Sequence, residues 1–254
     1  MPNNEIISFA KPKSIASEAY RTLRTNLEFS LANGDLKTIL VTSSHVSEGK
    51  SSTAANLATV FAMQDKKVVL IDADMRRGIQ HKKFDISNQN GLSNYLANMS
   101  FNEKNFIKNT DIPNLSVITC GHVPPNPAEL VSSPRMKELL DGLKEDFDII
   151  IIDGVPVLPV TDSVILSSIV DKVVIVACYG ETHKDELKSV KTALDNAGAN
   201  IAGVILNKVE MENKCYGKYS KYSKYGNSYY GGYYSSDDDD EGSKKVKKSK
   251  KITK

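Results

Sequence analysis

The sequence predicts an α/β protein, a doubly wound, mostly parallel sheet carrying a phosphate-binding loop and followed by a low-complexity tail. Three observations carry that reading. Apolar runs at 38–42, 67–71, 147–152, 172–178 and 200–206 alternate with stretches of helical periodicity, as expected of parallel strands buried on both faces. A Gly-Lys-Ser tripeptide, Gly49 to Ser51, falls at a strand-to-helix junction. The composition then breaks near 210, which divides the chain into a domain over 1–210 and a tail over 211–254.

The elements follow in order. Residues 17–31 predict a helix: Ser17 can cap it, Ala19, Leu23, Leu27 and Leu31 recur every four residues, and Asn33-Gly34 stops it. The strand at 38–42 leads into a helix at 50–63 whose apolar face holds Ala54, Leu57, Ala58 and Phe61. A second strand occupies 67–71. The stretch from 74 to 114 is less regular, with a helix at 92–97 and a short strand at 115–119 after it. Residues 121–127 read as loop, and Pro134 opens a helix reaching 144. The strands at 147–152, 172–178 and 200–206, with a helix over 183–196, complete the sheet.

Composition narrows the classes of function. The net charge of +2 is unevenly placed: the tail has 11 lysines against 6 acids, the body 22 basic against 25 acidic residues. Three cysteines, Cys120, Cys178 and Cys215, without a Cys-x-x-Cys spacing fit a reducing compartment and argue against a metal ribbon or iron–sulfur carrier. No export signal is expected, and no apolar run approaches the ~20 residues of a membrane helix. A cytoplasmic protein that meets the membrane through a partner or lipid charge is the expectation, and no nucleic-acid partner is expected.

The loop 44–51 has the context a phosphate loop needs. Backbone N–H groups of Ser47 to Ser52, at the positive end of a helix, suit phosphate oxygens. Lys50 would neutralise the outer phosphates and the Ser51 hydroxyl would hold Mg²⁺. Ser44 stands where the pattern has its first glycine, tolerable while its φ stays negative. Two further acids, Asp72 and Asp74, close the second strand, and Asp153 closes the strand at 147–152 as a Walker B acid. Asp72 and Asp74 could orient a metal or take a proton from an attacking hydroxyl, unless they are solvated acids paired with Arg76 and Arg77. ATP or GTP with Mg²⁺ is the expected ligand. His81, His122 and His183 show no ligand spacing and read as surface residues, and His45 as solvent-facing.

Together these motifs resemble the bacterial tyrosine kinases of capsule and exopolysaccharide operons, the CpsD/CapB type, on a MinD/ParA-like P-loop NTPase fold. The resemblance rests on the relaxed loop, Asp72-Ala-Asp74-Met-Arg76, Asp153, the loop 124–130, Val160-Thr-Asp162 and the terminal tyrosines. It implies ATP and Mg²⁺ as cofactors. Catalytic roles are implied for Asp72 (the base), Asp74 and Lys50; metal contacts for Ser51, Asp74 and Asp153; and ATP contacts for Ser47, Glu48, Gly49, Lys50, Ser51, Ser52 and Asn207. Glu18, Arg21 and Arg24 match the family's ring-forming helix motif, which otherwise reads as surface salt bridges. A homo-oligomeric ring, a separate transmembrane activator that recruits the chain to the inner membrane face, and a cognate tyrosine phosphatase follow as implied partners. The chain departs from the family at Gly154-Val155-Pro156, where Thr-Pro-Pro is usual, so a hydroxyl is lost beside the site.

The tail concentrates Tyr216, Tyr219, Tyr222, Tyr225, Tyr229, Tyr230, Tyr233 and Tyr234 among Lys, Ser and Gly, too polar to fold alone. Composition alone fits a solubilising segment equally well; the resemblance makes these tyrosines phosphate acceptors. Two rival functions share the motifs: a MinD/ParA-type ATPase switch, and a nucleotide-binding adaptor without kinase activity. The first carries a signature lysine early in the loop, where this chain has His45.

Overall fold

The computed structural model describes residues 6–29, 37–97, 105–209. The expected tail with its eight tyrosines, Leu31 and the Asn33-Gly34 stop lie outside the described residues. Among the described residues seven strands form one sheet in the order β3-β4-β2-β5-β1-β6-β7. They are β1 (Thr38–Ser43), β2 (Val68–Asp72), β3 (Lys108–Asn109), β4 (Leu115–Ile118), β5 (Ile149–Asp153), β6 (Lys172–Cys178) and β7 (Ile201–Asn207). All pairings are parallel except β3 with β4, so the sheet is mostly parallel as the apolar runs predict.

Alternation along each strand explains why those runs are uninterrupted. Val68, Leu70, Ile149, Ile151, Ile39 and Val41 face one apolar layer, which includes Leu57, Ala58 and Phe61 of α3 (Lys50–Ala62). Val69, Ile71, Ile150, Ile152 and Leu40 face the other, with Met136 and Leu140 of α7 (Pro134–Asp146) and Val190 and Leu194 of α9 (Lys184–Asn196). A strand covered on both faces has no position left for a solvated side chain.

Several elements differ from the sequence expectation. The first long helix, α2 (Ile15–Phe29), begins two residues earlier than expected. Ser14 takes the capping place, its hydroxyl accepting from the Ser17 N–H at 3.2 Å. Ser17 is buried inside the first turn and donates its own hydroxyl to the Lys11 carbonyl at 2.7 Å. Short helices α1 (Ile7–Ala10), α4 (Gln80–Lys83), α6 (Pro127–Ser132) and α8 (Asp162–Ser167) carry too little periodicity to be read. The helix α5 (Leu92–Leu96) and the two-residue edge strand β3 complete the described elements.

Register sets the site. Asp72 lies opposite Asp153 on the neighbouring strand, and Asp153 lies opposite Val41 of β1, just before the chain leaves for the loop. The carboxyl ends of β1, β2 and β5 therefore finish level, where doubly wound sheets place ligands.

Candidate active site

The loop after β1 is shaped by its backbone. Ser47 takes φ 65° and Gly49 φ 95°, both left-handed, while Ser44 is not among the positive-φ residues, as its replacement of glycine requires. A Cβ on Gly49 would fall 2.0 Å from Asn207 Nδ2, so a side chain is excluded there on two counts. Glu48 braces the loop: its carboxylate accepts from the His45 N–H at 2.9 Å and from the Thr182 hydroxyl. With that side chain turned inward, Glu48 can offer only backbone to a nucleotide. Asn207 also contacts the loop, donating to the Glu48 carbonyl at 2.9 Å.

Lys50 occupies the convergence point. Its ammonium lies 3.1 Å from Asp74 Oδ2, 3.3 Å from Asp153 Oδ1 and 3.1 Å from the Ser51 hydroxyl. Burial alone would lower its pKa, but the carboxylates of Asp153, Asp74 and Asp72 outweigh that and raise it. Gln80, not singled out from sequence, is fully buried and donates from Nε2 to the Ser51 carbonyl at 2.9 Å and to Asp153 Oδ2 at 2.8 Å. Ser52 is contacted by Lys83 Nζ at 3.2 Å, and Ser47 is exposed at the loop's outer rim.

The two acids after β2 have different surroundings. Asp74 faces Lys50 and accepts at Oδ1 from the N–H groups of Arg76 and Arg77 at 3.3 and 2.8 Å. Asp72 is fully buried; Oδ2 accepts from the Gln80 N–H at 2.9 Å, and Oδ1 has no hydrogen-bond partner. Burial, and then the nearby Asp153 carboxylate, raise its pKa well above the usual carboxylate range. The reading of solvated acids paired with arginines does not hold, because Arg76 reaches Asp162 and both acids are buried.

Two carboxylates, Asp74 and Asp153, around a single ammonium leave negative charge that a divalent cation would offset, and together with the Ser51 hydroxyl they form an oxygen-rich donor set suited to Mg²⁺. The residues present therefore fit a Mg²⁺–nucleotide.

Other expectations fare unevenly. His45 exposes about half its side chain, with Nε2 3.1 Å from Glu186. His81 is no simple surface residue: its Nδ1 is buried without a partner, and its ring lies near Asp72 and Cys120. No local spacing announces this cluster, since it is assembled from three separate segments. Gly154 does not leave a gap. A Cβ there would meet the Ser163 hydroxyl at 2.5 Å and Leu40 Cδ1 at 2.9 Å, so Ser163 fills the space a threonine would need. On α2, Glu18 and Arg21 pair on the surface, whereas Arg24 turns inward to donate to the Val60 carbonyl at 2.8 Å in the last turn of α3. The eight tyrosines lie outside the described residues.

A loop between strand and helix, with acids at two neighbouring strand ends gathered on its lysine, defines a nucleotide-binding protein of the P-loop NTPase fold. The family described as "AAA domain" matches residues 36–185. The MinD cell division ATPase of Pyrococcus furiosus shares the fold at TM-score 0.59 and 22% identity, over 70% of this chain and 74% of that one. Nearer relatives sharpen the class. Tyrosine-protein kinase YwqD of Bacillus subtilis is 42% identical over 226 residues, 89% of this chain and 91% of that protein. The kinase domain of the Escherichia coli tyrosine kinase ETK superposes with TM-score 0.76 at 34% identity, covering 82% of each chain. The chimerical protein CapA2B2 gives 0.77 at 37% identity, over 81% of this chain and 90% of its own. The chain belongs to the bacterial tyrosine-protein kinases.

Proposed function

We propose that this kinase uses Mg²⁺–ATP to phosphorylate its own C-terminal tyrosine cluster, in trans within a ring-shaped homo-oligomer, and so regulates capsular or exopolysaccharide synthesis and export. The observation that carries the reading is Lys50 held between Asp74 and Asp153 beside the fully buried Asp72.

When bound, Mg²⁺–ATP would supply the transferable phosphoryl group and the cation that offsets its charge. Lys50 would turn from the carboxylates to the outer phosphate oxygens, leaving Asp74, Asp153 and Ser51 to hold the metal. Asp72, made more basic by its burial, would accept the phenol proton of an incoming tyrosine. A phenol with an ordinary pKa near ~10 needs such an acceptor at neutral pH. Because Asp72 is fully covered, with the Gln80 N–H on Oδ2, a local opening would precede contact with a tyrosine oxygen.

Each phosphotyrosine adds about −1.5 to −2 charge, so roughly three cancel the tail's lysine excess and more invert it. That inversion would loosen the ring, whose contacts we assign to Glu18, Arg21 and Arg24. No helix among the described residues is long and apolar enough to cross a membrane. Recruitment to the inner membrane face would run through a separate transmembrane activator, and reversal through a cognate phosphatase, as membership of this family suggests.

Mass spectrometry of the full chain with Mg²⁺–ATP, alone and with its activator, tests the reading. Phosphate on tyrosines between 216 and 234 is expected, and none in Lys50→Met. Intact ATP binding with no phosphotyrosine under either condition would sink it. Mixing Lys50→Met with an active variant carrying Phe at all eight tail tyrosines tests transfer in trans, which requires phosphate on the Lys50→Met tail.

A further inference from the structure

Beyond the nucleotide site, one cluster has the donor set of a different ion. Asp72 closes β2, Cys120 lies two residues past the end of the adjacent β4, and His81 sits on α4. One ligand atom from each lies within 4.8 Å of the other two. Asp72 Oδ1 and His81 Nδ1 are both buried and lack any hydrogen-bond partner. Buried polar atoms are nearly always satisfied, so two orphans on residues that meet at one thiol need an explanation. The thiol itself donates to Asn88 Oδ1 at 3.4 Å and to the Gly121 carbonyl at 3.5 Å, weak sulfur bonds that a metal would replace.

The surroundings hold these atoms in place. The Gln80 N–H pins Asp72 Oδ2 at 2.9 Å, leaving Oδ1 as the open atom. Gly78 covers the cluster, and a Cβ there would fall 2.4 Å from the Cys120 sulfur and 2.7 Å from Asp72 Oδ2. Carboxylate, imidazole and thiolate are the donors zinc takes, and in a tetrahedral site they stand roughly 3.3–3.8 Å apart. Metal binding would draw the set together from its 4.8 Å spread by about 1–1.5 Å. The hard oxygen set around Lys50 has no sulfur and suits Mg²⁺ instead.

We propose that Asp72, His81 and Cys120 form a second, thiolate-containing site for a divalent cation of the Zn²⁺ class, and that filling it blocks phosphoryl transfer by engaging Asp72. Coordination replaces the thiol S–H bond by a sulfur–metal bond and releases the proton to solvent. The blocking half rests on the assignment of Asp72 as base; the binding half does not.

Titrating the purified full chain with Co²⁺ tests binding directly. A thiolate-to-cobalt charge-transfer band saturating at one ion per chain is expected, displaced by Zn²⁺ and lost in Cys120→Ser. His81→Gln should weaken binding roughly tenfold or more while keeping nucleotide binding and the thermal midpoint. Should Cys120→Ser misfold, His81→Gln decides alone. No band in the wild-type chain, or a band unchanged in both variants, overturns the site. In kinase assays with excess Mg²⁺–ATP, Zn²⁺ should inhibit the wild-type chain reversibly on chelation and spare Cys120→Ser. Binding without inhibition would overturn the blocking half and the assignment of Asp72, and leave the site standing.

Discussion

Arg76 grips Asp162 with two parallel bonds, Nε to Oδ2 at 3.2 Å and Nη2 to Oδ1 at 3.1 Å, joining residues 86 positions apart. Asp162 is fully buried at the start of α8, while the arginine is about two-fifths exposed. The pair therefore ties the segment after β2 to the helix that follows the β5 loop. A planar fork matched to a carboxylate is something lysine cannot reproduce.

Removing Arg76 leaves a buried carboxylate without its counter-charge. Arg76→Ala should cost about 2 kcal/mol in urea unfolding, below the range for a fully buried pair because the guanidinium is partly in water. Arg76→Lys should recover only part of the loss.

Lys50→Met should abolish tyrosine phosphorylation while the chain stays folded. The variant leaves Asp74 and Asp153 facing each other without a cation between them. Phosphotyrosine immunoblots alongside circular dichroism read both outcomes.

Asp72→Asn should stabilise the fold at pH 7 and remove kinase activity. The sign follows from burial. The folded pKa of Asp72 lies above its unfolded value, so the folded chain holds this proton more tightly. Its contribution then falls as pH rises from about 4 through the folded pKa. The Asn variant, unable to ionise, should show a flatter dependence of unfolding free energy on pH across that window. A wild-type curve with no such difference would refute the shift.

Cys120 should resist alkylation. Burial first, and then the nearby Asp72 carboxylate, push its thiol up to about 12, so almost no thiolate exists at pH 8. Iodoacetamide followed by peptide mapping should leave Cys120 unmodified in the native chain and modify it in urea.

Gly154→Thr should destabilise by about 1–3 kcal/mol, the usual cost of overpacking, because its Cβ collides with Ser163 and Leu40. Pairing it with Ser163→Gly should not restore stability, because the Ser163 hydroxyl accepts from the buried Val155 N–H at 2.8 Å and donates to the Val155 carbonyl at 2.6 Å. Thermal unfolding of the single and double variants checks this.

The sequence by itself determined the sheet, the loop and the acids. The apolar runs that became β1, β2, β5, β6 and β7, the Gly49-Lys50-Ser51 turn, and Asp72 and Asp153 at strand ends are all local signals, written within a few residues by backbone preference and side-chain periodicity. The tertiary structure alone decided which partner each side chain meets. That Asp74 faces Lys50 while Asp72 turns toward His81 and Cys120 depends on β4 lying beside β2. That Arg76 reaches Asp162, that Gln80 bridges Ser51 and Asp153, and that Ser163 fills the place beside Gly154 follow from strand order and helix packing. Strand order is settled by burying apolar faces across the whole domain, and no short window of sequence contains that information.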